Sequence, residues 1–68
     1  MTTLWQVRNA RTVASCSITR GCAGVDLEVI EGTIVTRRER HPDRSTAYER
    51  AVALRLEYER AGYRASPH

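Results

Sequence analysis

The stretch Thr46-Ala47-Tyr48-Glu49-Arg50-Ala51-Val52-Ala53-Leu54-Arg55-Leu56-Glu57-Tyr58-Glu59-Arg60-Ala61-Gly62 sets the architecture, because everything before it reads as short strands. Ala47, Ala51, Leu54, Tyr58 and Ala61 recur at three- and four-residue spacing, the stripe of a helix lying on a sheet. The small residues come first, where the backbone can approach closely. Pro42 pushes His41 out of helical angles and separates sheet from helix. Asp43 or Ser45 is placed to cap, and Thr46 with Glu49 forms a capping-box pattern, so the helix is expected to start near Thr46. Gly62 followed by Tyr63 predicts a Schellman end with Tyr63 touching Tyr58. The helix therefore spans about 46–61, and 64–68 is expected to be a frayed tail.

Upstream of the helix the period changes from three or four residues to two. Strands are expected over about 3–8, 12–19, 25–30 and 33–38. In the first, Trp5 and Val7 point one way and Leu4, Gln6 and Arg8 the other. Asn9-Ala10-Arg11 makes a turn. In the second, Ala14, Cys16 and Ile18 form the inward side, and Val13, Ser15, Ser17 and Thr19 the outward one. Gly21 and Gly24 flank a chain break before Val25, Leu27 and Val29 alternate with Asp26, Glu28 and Ile30. Glu31-Gly32 is read as a two-residue hairpin loop. Four short strands and one terminal helix give an α+β class: an antiparallel β-meander of three or four strands packed against one C-terminal helix, in a single domain over 1–68.

A chain of 68 residues has a thin core, since a domain of this size buries only about 60% of the surface its unfolded chain exposes. Phe is absent and there is one Trp, so the interior must be built mostly from Ala, Val, Leu and Ile. No long apolar run and no basic-then-apolar leader pattern is present, which points to the cytoplasm and away from a membrane.

Every one of the 11 basic residues is Arg, and the net charge is +3. An arginine-only, lysine-free composition is what a GC-rich genome writes into any protein, so the clustering of the arginines carries more meaning than their number. Arg37, Arg38, Arg40 and Arg44 concentrate at the end of the fourth strand and in the following loop. With Arg8 from the sheet they make a candidate phosphate-contacting edge, while a charged edge strand also blocks strand-to-strand aggregation. Stacking aromatics are missing from the expected outer face.

Chemistry is sparse. His41 has no evident nucleophile or orienting partner, and Asp26 with Glu28 reads as a solvated face. Cys16 and Cys22 match no zinc spacing, and Cys16 falls on an inward strand position where a thiol acts as a small hydrophobe. The sequence is thus read as non-enzymatic, with no cofactor, metal or small-molecule substrate. Tyr48, Val52 and Leu56 form a second apolar row on the helix that one sheet cannot also cover. That row is read as a homodimer interface, which makes the chain a self-associating binding or accessory module. The alternative is a nucleic-acid-binding domain using the arginine cluster.

Trp5-Gln6-Val7-Arg8 on a first strand, Gly32 in a late hairpin, and Ser45-Thr46-Ala47 through Ala51 to Gly62-Tyr63 together resemble the layout of short uncharacterised bacterial proteins with a sheet followed by one helix. The layout also looks like the arm-type DNA-binding domains of phage-like integrases, in which a three-stranded sheet backed by a C-terminal helix enters the major groove. The resemblance covers most of the chain as a pattern. It implies a fold and assigns no residue a role.

Overall fold

The computed structural model describes residues 1–65. Strands β1 (Thr2–Arg8), β2 (Val13–Gly21), β3 (Gly24–Glu31) and β4 (Ile34–His41) are followed by helix α1 (Arg44–Arg60) and a short strand β5 (Arg64–Ala65). All pairings are antiparallel, and the sheet order is β4-β3-β2-β1-β5. The class is α+β, with five strands among the described residues rather than three or four. The extra strand comes from the expected tail: Arg64 pairs with Arg8 and Ala65 with Val7. Residues 66–68 of that tail lie outside the described residues.

The core follows the two-residue alternation. Val7, Ala14, Cys16, Ile18, Val25, Leu27 and Val29 are buried on one face of the sheet, and Ala47, Ala51 and Leu54 of α1 close over them. Burying a side chain such as Leu54 or Leu27 contributes roughly 1.5–3 kcal/mol. Trp5 completes the layer, its indole N–H donating to the carbonyl of Ala51 at 2.8 Å. Ala61, expected on the buried stripe, is the exposed C-cap, because the helix ends one residue earlier.

Two bulges alter the simple alternation. In β1 the register shifts between Thr3 and Trp5, so Leu4 has no partner on β2 and packs against the core, not outward with Gln6 and Arg8. In β4 the shift lies opposite Val29 and Ile30, with Thr36 the extra residue. A bulge inserts one residue and bends its strand, which a period-two reading misses.

The turns also differ in detail. Asn9 closes the first, its side-chain oxygen accepting from the backbone N–H groups of Arg11 and Thr12 at 2.8 and 2.9 Å. The β3–β4 loop is Gly32-Thr33, one residue later than expected, since Glu31 still pairs with Ile34. Gly24, at φ +138°, sits against β4 where a Cβ would lie 2.3 Å from the carbonyl oxygen of His41. Only glycine permits that approach.

The helix starts two residues before Thr46. Asp43, in extended conformation after Pro42, is the N-cap, and its carboxylate accepts from the Thr46 backbone N–H at 2.9 Å and hydroxyl at 3.1 Å. These bonds hold the Asp43 carboxyl below the usual aspartate range. The capping function thus belongs to Asp43, and Thr46 is its donor. At the other end Gly62 donates to Glu59 and Tyr63 to Tyr58, the paired bonds of a Schellman motif. The Tyr58 and Tyr63 rings meet edge to face at 5.0 Å, as the sequence predicts. The reversal sends Arg64 and Ala65 back along β1.

Candidate interaction surfaces on the helix and the sheet

The four arginines singled out in sequence do not share one face. Register places Arg37, Glu39 and His41 opposite the buried Val29, Leu27 and Val25, at the helix side of the β4 edge, whereas Arg38 and Arg40 stand opposite Glu28 and Asp26 on the outer face. Arg38 pairs with Glu28 at 2.8 Å and Arg40 with Asp26 at 3.0 Å. Arg44 opens the helix and is exposed. The strand alternation that splits the cluster also brings each of the two outward arginines to an acid one strand away.

Glu39 is the hub of the helix side. Its carboxylate accepts from Arg50 Nε at 3.1 and 3.2 Å and from Arg37 at 3.1 Å, and one oxygen lies 3.0 Å from His41 Nε2. The Arg50 bonds, helped by those of His41 and Arg37, bring its pKa down to about 2. His41 therefore has a carboxylate neighbour that the sequence did not assign to it, across a gap of one residue on an extended strand. Among the described residues no hydroxyl or thiol is hydrogen-bonded to the imidazole. The arrangement clips β4 to α1.

The remaining candidate groups are dispersed. Cys16 is wholly buried and Cys22 exposed in the β2–β3 turn, and both are free. Burial, with a smaller contribution from the charge of Glu39, pushes the Cys16 thiol up to about 11. No group of His, Cys, Asp or Glu among the described residues is arranged to hold a metal. Tyr58 donates its hydroxyl to Glu31, and burial together with that bond raises its phenol to about 12. No helix among the described residues is long and apolar enough to cross a membrane.

Tyr48, Val52 and Leu56 lie along the helix away from the buried stripe and are 41%, 49% and 44% exposed. Four-residue spacing makes them one continuous row. Arg8 and Arg64 form a second arginine grouping, facing each other across β1 and β5. That juxtaposition is not visible in the sequence, where Arg64 falls in the expected tail. The Schellman signal at Gly62-Tyr63 indicated a chain reversal without naming the strand it would meet.

No protein-family model matches the chain, and neither a curated protein nor a solved structure matches it.

Proposed function

We propose that the chain is a small non-enzymatic binding module that assembles as a homodimer through the helix face of Tyr48, Val52 and Leu56. The observation that carries this reading is the row itself: three large apolar side chains, each close to half exposed, on the side of α1 that the sheet does not reach. Full burial of one such side chain is worth roughly 1.5–3 kcal/mol, and about half of that is still to be gained at each position. A second copy is the favoured occupant because the row repeats along one helix and can meet its own image about a twofold axis, closing the assembly. A thin core gains most from added burial.

Sedimentation equilibrium across the micromolar to near-millimolar range tests the reading. The expected result is a mass twice the 7.7 kDa of one chain, reverting to a single chain in Val52→Glu and in Leu56→Glu. A wild-type protein that remains monomeric at the highest concentration overturns it.

A further inference from the structure

The outer face of the sheet carries its charge unevenly. At the β4 edge Arg38 and Arg40 are matched by Glu28 and Asp26, so that end sums to no net charge. At the opposite edge Arg8 on β1 stands directly across from Arg64 on β5. Both are exposed, and among the described residues neither belongs to an ion pair. Like charges directly opposite across a ladder are destabilising. The sheet thus balances its arginines at one edge and opposes two of them at the other.

The fold brings both positions together. Arg64 is delivered by the Schellman reversal after Gly62, and Arg8 by the strand end that Asn9 closes. Between them is an open depression lined by Arg8, Asn9, Ala10, Gly62, Arg64 and Ala65. Arg11 follows in the same exposed loop. A phosphate placed there converts the repulsion into two attractions, because each planar guanidinium can donate two parallel hydrogen bonds to it. The depression is too open to strip the water from a small free anion. A polymer gains where a small anion does not, because it presents successive phosphates and releases condensed counterions on contact.

We propose that Arg8 and Arg64 form a phosphate clamp for the backbone of a nucleic acid laid across the outer face of the sheet. Gln6 and Ser15, neighbours in the ladder one step along that face, extend a polar surface beside the clamp. Contacts of this kind position a strand without reading its bases.

The test is fluorescence anisotropy with labelled duplex DNA, single-stranded DNA and RNA at low and near-physiological salt, using wild type, the double variant Arg8→Gln/Arg64→Gln and the control Arg38→Gln/Arg40→Gln. Wild type is expected to bind at least one of the three, with affinity falling steeply with salt. The clamp variant should lose about tenfold or more and show a shallower salt slope by about one to two. The control should bind within about twofold of wild type. The clamp variant should melt no lower than wild type, since it removes a like-charge pair, which separates loss of binding from loss of fold. Absence of wild-type binding to all three, equal losses in the two variants, or binding of inorganic pyrophosphate with none of nucleic acid would each overturn the proposal.

Discussion

The indole Nε1 of Trp5 donates to the backbone carbonyl of Ala51 at 2.8 Å, joining the first strand to the middle of the helix across 46 residues of chain. The same ring lies 5.7 Å from that of Tyr58, so one side chain fixes the helix along its axis and about it. Trp5→Phe keeps most of the apolar contact but removes the donor. Stability is expected to fall by about 1–3 kcal/mol. At roughly 4–8 °C per kcal/mol, the melting temperature followed by circular dichroism should drop by about 5–20 °C. An unchanged melting temperature would show that the bond does not hold the helix in place.

The two glycines at Gly24 and Gly62 separate steric from conformational cost. Both have positive φ, yet a Cβ at Gly24 meets the His41 carbonyl oxygen at 2.3 Å while one at Gly62 meets nothing within 4 Å. Gly62→Ala is expected to cost about 1–2 kcal/mol, the ordinary penalty of a left-handed residue. Gly24→Ala must also push β4 away from β3, and its cost should exceed about 3 kcal/mol. Urea unfolding of the two variants gives the comparison directly, and equal costs would refute the assigned contact.

Acid should loosen the clip between β4 and α1. The carboxyl of Glu39 is held at about 2, below its ordinary 4.5, chiefly by Arg50. A depressed folded pKa means stability that is present above about pH 4.5 and lost as pH falls toward 2. Arg37 and Arg50 are partly exposed, so solvent screening limits the effect to about 1–2 kcal/mol. Thermal melts between pH 6 and pH 2, on the order of one melt per pH unit, should show a fall that is smaller in Glu39→Gln. An identical fall in wild type and variant would place the acid sensitivity elsewhere.

The two thiols should behave as different reagents. Cys22 is exposed, whereas Cys16 is buried with its thiol pushed up to about 11. Only the thiolate reacts with a disulfide probe. Titration of the native protein at neutral pH is expected to modify Cys22 rapidly and Cys16 only after denaturant is added. Rapid modification of both in the native state would contradict the burial of Cys16.

Much of this fold was legible because most of the chain obeys a single period. Val25, Leu27 and Val29 alternate with Asp26, Glu28 and Ile30, and that pattern alone marks the buried face of β3. Leu4 departs from its expected outward side because a bulge is an exception to the period and leaves no mark in residue type. Asp43, not Thr46, caps the helix because competing short polar residues look alike in sequence, and the extended backbone after Pro42 decides between them. Strand β5 was hidden for a different reason: Arg64-Ala65 is too short to show any period, and its existence depends on β1 being within reach. Of the candidate surfaces, the row Tyr48, Val52, Leu56 could be laid out from helical geometry. The facing of Arg8 and Arg64 depends on a pairing between distant parts of the chain, which no local pattern encodes.

The pairing of β5 with β1 also orders events in time. The hairpins of the meander bring together neighbouring segments, and each can zip from its own turn without waiting for the rest. Docking β5 closes a loop that runs from β1 through the helix, and the closure entropy of that loop is met most cheaply once the helix has formed, capped and reversed. With Val7, Arg8, Arg64 and Ala65 forming its ladder among the described residues, it is also a piece with little to lose by letting go. Amides along this edge should exchange with solvent earliest, making the two-residue strand a latch that fastens last and releases first.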